Sequence, residues 1–211
     1  MTVSSDFELA AGEVHVWRFG LDPPPDSLAW FTPLLCEAEL ARANRFRTET
    51  LRRRFISGRG NLRVILGRYV DRPPGVLSFG YGVHGKPWLT DADGLQFNLA
   101  HSHGVALCAV TLSRTVGVDL EAARPMESAE RIIQRFFSPV ECAAFLALPE
   151  PERPAAFFRA WARKEAFLKA TGTGLSTALD SFDVTLRPDE PAALLRVGDD
   201  PAEPARWWLE D

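Results

Sequence analysis

The sequence predicts an α+β chain of two similar lobes, in which helices pack on small, mostly antiparallel sheets about a pseudo-two-fold. Three observations predict it. A phenylalanine, a hydroxyl residue and a proline recur as Phe31-Thr32-Pro33 and Phe137-Ser138-Pro139, each a helix start with the hydroxyl as cap and proline at the first helical position. After each start comes the same order: a short helix, a longer helix, then short runs with the period-two alternation of strands. The chain's 211 residues, 46% of them hydrophobic, are enough to bury one large core or two small ones. The lobes divide near Ser113, into residues 1–112 and 113–211.

Residues 13–19 set Val14 and Val16 against polar partners and read as a first strand, with His15 a satisfied strand residue rather than a ligand. Residues 22–26 form a proline-rich turn. Thr32 caps a helix reaching about Asn44, and a longer helix from about Thr48 to Val70 carries a series of arginines until Pro73-Pro74-Gly75 ends it. Short strands follow at 77–81, 96–100 and 105–112, with a turn at Gly85-Lys86-Pro87-Trp88; the last strand is apolar enough for the centre of a sheet. Residues 116–121 read as a further strand. Ser138 and Glu141 spell a capping box, and Gly172 is placed to stop the long helix of the second lobe. Strands at 182–186, 193–197 and 206–209 complete the pattern.

No apolar run approaches the roughly 20 residues of a membrane span, and the N-terminus lacks a basic-then-apolar signal, so a cytoplasmic protein without a membrane partner is expected. Cys36, Cys108 and Cys142 are odd in number, widely spaced and set among apolar residues; they are expected as buried free thiols, neither a disulfide frame nor a zinc site. The net charge of −4 conceals Arg42, Arg45, Arg47, Arg52, Arg53, Arg54, Arg59, Arg63, Arg68 and Arg72 crowded in one segment. That segment reads either as a solvated arginine-rich helix or as a face that meets an anion. Nucleic acid is disfavoured, because the chain as a whole is acidic and carries no nucleic-acid motif. Of the 24 basic residues only Lys86, Lys164 and Lys169 are lysines. A compact, titratable ammonium differs from a planar fork that keeps its proton, so these three mark places where arginine would not serve.

Two of the three lie in residues 161–175. At about 100° per residue, Phe157, Trp161 and Leu168 share an apolar arc that Phe158 widens, and Glu165 projects between Trp161 and Phe158. A carboxylate there costs several kcal/mol unless a positive group meets it; Lys169, one turn on, either makes an ordinary i,i+4 pair or serves with Glu165 in a site. In Val116-Gly117-Val118-Asp119-Leu120-Glu121, period two puts Asp119 and Glu121 on one face, about 7 Å apart. Such a pair either solvates a strand end or takes a hard cation such as Mg²⁺, and Glu165 would supply a third acid if a cation bridges the lobes at their seam. His101 and His103, at a strand end before Gly104, suit a phosphate contact, a structural role or a metal.

Taken together, Gly85-Lys86-Pro87, Phe97-Asn98-Leu99-Ala100-His101-Ser102, Gly117-Val118-Asp119-Leu120-Glu121, Arg135-Phe136-Phe137-Ser138 with Glu141, and Trp161-x-x-Lys164-Glu165-Ala166-x-x-Lys169-x-x-Gly172-x-Gly174 resemble the successive motifs of the surfactin-synthetase-activating class of 4′-phosphopantetheinyl transferases. The resemblance covers roughly Phe31 to Val184. It implies a monomeric pseudo-dimer that moves the phosphopantetheine arm of coenzyme A onto a serine of an acyl or peptidyl carrier protein and releases 3′,5′-ADP. It further implies that Asp119, Glu121 and Glu165 bind Mg²⁺ with the coenzyme's pyrophosphate, and that Lys164 and Lys169 lie by the phosphates, Lys169 being better suited to neutralise or protonate the leaving group. Arg54, Lys86 and His101 would contact the nucleotide's phosphates or base, with Arg42 completing a basic cradle for the 3′-phosphate and Pro87 and Ser102 inside the matched motifs. Glu165 is the first choice of general base and Glu121 the second.

Met126, Ile132, Ile133 and Phe136 read either as the apolar part of a carrier groove or as ordinary core. Three departures stand out: Ala100 replaces a serine common before the histidine, Glu39 stands where some members place a basic residue, and the sequence ends at Trp207-Trp208-Leu209-Glu210-Asp211 without the last strand many members carry. Two rival readings are a non-catalytic coenzyme A or carrier-binding protein and a metal-dependent phosphohydrolase.

Overall fold

Hydrogen-bonding side chains, as much as apolar ones, decide where this chain divides. The computed structural model describes residues 7–90, 92 and 94–211, in two compact units, Met1–Leu120 and Glu121–Asp211. The division falls after Leu120, later than the expected one after Leu112, because residues 116–118 are tied to the first unit. Lys86 Nζ donates to the Val116 carbonyl at 3.0 Å, and Val118 N donates to Asn98 Oδ1 at 2.9 Å.

The first unit opens on β1 (Val14–Gly20), followed by helices α1 (Pro25–Phe31), α2 (Glu37–Ala43) and α3 (Glu49–Tyr69). Strands β2 (Phe79–Tyr81), β3 (Pro87–Leu89), β4 (Leu95–Ser102) and β5 (Val105–Leu112) complete it. All pairings are antiparallel, in a sheet of order β1-β5-β4 and a β2-β3 hairpin, so β5 holds the centre as its apolar run predicts. Leu62, Ile65 and Leu66 of α3 join Leu95, Phe97, Cys108 and Val110 in one core. Phe31, Leu35, Ala43 and Ile56 form a second beneath α1 and α2. Gly60 belongs to that contact: a Cβ there would strike the Phe31 ring. His15 is satisfied as expected, with Nδ1 2.6 Å from the Tyr69 hydroxyl.

Thr32 is not the N-terminal cap of an α-helix. The three consecutive prolines start α1 earlier, and Thr32 closes it, its Oγ1 donating to the Leu28 carbonyl at 2.8 Å. The cap of α2 is instead Cys36, whose N–H donates to Glu39 Oε2 at 3.0 Å. Cys36 is consequently exposed and Cys142 only half-buried; Cys108 alone is fully buried, its thiol pushed up to about 12 by desolvation.

The arginine-rich α3 begins at the expected cap, Thr48, which accepts from Leu51 N at 3.3 Å. Much of its charge is answered within the unit. Buried Glu39 binds both Arg59 and Arg63, the latter through Nε at 2.9 Å, and Arg63 also donates to the Pro74 and Leu77 carbonyls at 2.9 and 3.0 Å. The departure at Glu39 is therefore structural: it holds the cation pair inside the fold, and burial, which opposes its ionisation, is outweighed by the two arginines.

The second unit contains α4 (Ala129–Phe136), α5 (Pro139–Leu146), α6 (Arg153–Thr171) and the antiparallel hairpin β6 (Phe182–Val184) with β7 (Leu194–Val197). The order of short helix, long helix and strands recurs, with fewer strands than in the first unit. Of the groove candidates, Ile133 is fully buried, Met126 and Ile132 pack on the core, and Phe136 is 45% exposed. The predicted capping box forms: Glu141 N donates to Ser138 Oγ at 3.2 Å, and Ser138 N to Glu141 Oε2 at 3.1 Å. Gly172 ends α6 at φ 71°, the left-handed conformation a glycine adopts freely.

Two predicted strands are absent. Residues 116–121 run without a ladder; the Val118 N–H goes to Asn98 and the Val116 carbonyl accepts from Lys86 in place of a neighbouring strand. Residues 206–209 likewise form no strand. Trp207 packs edge-on to Phe167 with centroids 4.9 Å apart, Trp208 is 84% exposed, and Asp211 receives buried Arg163 through Nε at 3.0 Å. Among the described residues no helix is long and apolar enough to cross a membrane.

Candidate active site

Three groups of predicted site residues can be placed. The first surrounds the β4–β5 turn. His103 and Gly104 both adopt positive φ, 46° and 81°, which turns the chain tightly enough to pair His101 with Ala106 and Ser102 with Val105. His101 and His103 are exposed; Ser102 is half-buried, its Oγ 3.1 Å from His103 Nδ1. Arg54 of α3 reaches the same turn and is held by Asp22, Nε to Oδ1 and Nη2 to Oδ2, each at 2.7 Å. These bonds lower the Asp22 carboxyl below its usual value and raise Arg54. Arg42 is exposed on α2 with its guanidinium 5.3 Å from the centre of the Phe55 ring.

The second group is the acidic segment. Lys86 and Pro87 are half-buried where the hairpin turn enters β3, and burial holds the Lys86 ammonium below its ordinary value. Through the Lys86 and Asn98 bonds, the residues just before Asp119 are fixed to β3 and β4 while Asp119 itself is half-buried, its Oδ2 shielded from solvent. Glu121, the first residue of the second unit, is half-buried as well.

The third group lies on α6, and here the structure redistributes the roles. Glu165 and Lys169 are both half-buried on consecutive turns, whereas the fully buried charges are Arg163 and Lys164. Lys164 Nζ donates to the Leu179 and Phe182 carbonyls at 2.7 and 2.6 Å and meets Glu141 Oε1 at 2.8 Å. An ammonium has three N–H groups, and each has an acceptor inside the unit. The motif implies a place for Lys164 by the phosphates; in the structure its ammonium anchors α6 to α5 and β6, and the apolar arc buries this lysine rather than Glu165. Among the described residues no three His, Cys, Asp or Glu side chains cluster as a metal site.

Comparison with known proteins gives these groups a context. A model described as the 4′-phosphopantetheinyl transferase superfamily matches residues 115–210. The 4′-phosphopantetheinyl transferase HetI of Nostoc sp. is 47% identical over 189 residues, covering 88% of this chain and 79% of that protein. The chain belongs to the 4′-phosphopantetheinyl transferase family. A putative 4′-phosphopantetheinyl transferase of Synechocystis sp. is 34% identical across 92% of this chain and 78% of its own length. The Sfp transferase of Bacillus subtilis is 34% identical over 128 residues, 61% of this chain and 56% of that protein.

For a transferase of this family, two residues with no role assigned from the sequence stand beside the site. Asn98 lies inside a matched motif, and its side chain captures the acidic segment. Asp22 lies in what reads as a turn; the one signal for it is an acid shortly after a strand and immediately before a proline run.

Proposed function

We propose that this chain catalyses Mg²⁺-dependent transfer of the 4′-phosphopantetheine arm of coenzyme A to a serine of an acyl or peptidyl carrier protein, acting as a monomer in the cytoplasm. The observation that carries this reading is the similarity to a 4′-phosphopantetheinyl transferase across 88% of the chain.

Asp119, Glu121 and Glu165 form no ready-made cluster among the described residues, but they offer oxygen ligands only, the donor set that suits Mg²⁺, and these three would be drawn together to hold the ion. When bound, Mg²⁺ supplies charge neutralisation at the pyrophosphate. The nucleotide is received by Arg42, Arg54, Lys86, Pro87, His101 and Ser102, with Arg54 at the 3′-phosphate. Glu165, with Glu121 as second choice, takes the proton of the carrier serine. The serine oxygen bonds to the phosphorus nearer the pantetheine as the bridging P–O bond breaks, and Lys169 neutralises the departing 3′,5′-ADP. Positioning and charge neutralisation are what phosphoryl transfer asks of a protein, and half-buried Glu165 and Lys169 on successive turns of a rigid helix meet that demand.

The test is to incubate the protein with coenzyme A, Mg²⁺ and an apo carrier and to weigh the carrier by mass spectrometry. A gain of one phosphopantetheine is expected. An unmodified carrier with coenzyme A bound would establish the non-catalytic binder instead, and degraded coenzyme A the phosphohydrolase. Within the same assay Lys169→Arg, which keeps the charge but loses the compact titratable ammonium, is expected to slow transfer about tenfold. Full activity in that variant would remove the requirement for lysine.

A further inference from the structure

Arg54 does not stand free at the β4–β5 turn. The segment just after β1 is bound to α3 at successive positions: Arg53 Nη2 donates to the Pro23 carbonyl at 3.1 Å, and Arg54 grips Asp22 through two parallel bonds of 2.7 Å. Leu21 N donates to the Gly104 carbonyl at 2.7 Å, so the same segment is also bonded to the turn. Space there is limiting: a Cβ on Gly104 would lie 2.6 Å from Asp22 Oδ2 and 3.2 Å from Arg54 Nη2. A fork held on its Nε–Nη2 edge by a carboxylate has its plane fixed, and its remaining N–H groups are presented on the opposite edge.

We propose that Asp22 is a positioning residue for coenzyme A, locking the Arg54 guanidinium against the His101–Gly104 turn so that its free edge is ready for the 3′-phosphate. This rests on the transferase reading and on the place given there to Arg54. The lock opposes binding through the negative charge of Asp22 and favours it by removing the rotamer freedom of a long side chain. With Asp22 54% exposed and its charge screened by water and by Arg54 itself, the orienting effect prevails.

The experiment is calorimetric titration of the full chain, with Mg²⁺ present, using coenzyme A and 3′-dephospho-coenzyme A. For Asp22→Ala the Kd of coenzyme A is expected to rise about tenfold while that of the dephospho form stays within about twofold. In an Arg54→Ala background, Asp22→Ala is expected to add nothing, because the residue acts through Arg54. An unchanged or tighter Kd for coenzyme A overturns the proposal. Equal weakening toward both ligands, or a further loss in the Arg54→Ala background, does so too, since either marks general damage to the fold. Wild-type protein that fails to load a carrier sinks the transferase reading; wild-type loading with an insensitive Asp22→Ala sinks only this inference.

Discussion

Glu165→Gln is expected to fold with near wild-type stability and to lose carrier loading by about 10²–10⁴-fold, the range a general base contributes. The substitution keeps size, and the side chain is half-buried on α6, whereas the fully buried charges of that helix are Arg163 and Lys164. What it removes is the capacity to accept a proton and one carboxylate of the proposed Mg²⁺ set. The two losses separate on titration with the ion: if Glu165 acts only through the metal, raised Mg²⁺ restores much of the rate, whereas a lost base is not restored. A variant with near wild-type turnover would take Glu165 out of the mechanism. Coenzyme A affinity, measured beside the rate, is expected to change far less than the rate does, because the nucleotide contacts proposed for Arg54, Lys86 and His101 remain.

Elements with strong local signals were legible in the sequence. The central strand at 105–112, the Thr48 cap, the Ser138–Glu141 box and the Gly172 stop all depend on residues within a few positions of one another, and each appears where expected. The strand read at 116–121 failed because its alternation is real but no strand lies beside it: Asn98, some 20 positions earlier, takes the Val118 N–H. The same limit governs the charges. Arg59 and Arg63 belong to a segment that reads either as a solvated face or as an anion-binding one, and they are neither, because their partner Glu39 is 20 and 24 residues away. Helical periodicity assigned Glu165 to the apolar arc, but Lys164 has the long stem and the three carbonyl and carboxylate acceptors that make its burial tolerable. Family resemblance names motifs without showing which charged residue in each is already committed to the fold.

Lys164→Met is expected to cost about 3–5 kcal/mol of stability in the second unit, the penalty for leaving one partner of a buried ion pair uncompensated. Glu141 is 2% exposed and accepts from Ser138 N, Val184 N and Lys164, so it joins the start of α5, strand β6 and helix α6 through one carboxylate. Burial pushes the Glu141 carboxyl up and the Lys164 ammonium down, and each is kept charged chiefly by the other. Methionine matches the lysine stem in length, so the loss reports the ammonium, including its cation–π contacts at 5.0 Å from the Phe137 ring centre and 4.3 Å from that of Phe182. The Lys164→Met/Glu141→Gln double variant should recover at least about 1 kcal/mol of it, since the stranded charge is gone although one N–H now lacks its acceptor. Urea unfolding measures the cost, and hydrogen exchange at α6 amides assigns it to the second unit. If Lys164→Met instead unfolds like wild type and weakens coenzyme A binding, the lysine serves the phosphates as its motif implies and the anchoring role fails. If stability falls as expected, the lysine that precedes Glu165 acts by holding the helix that carries it.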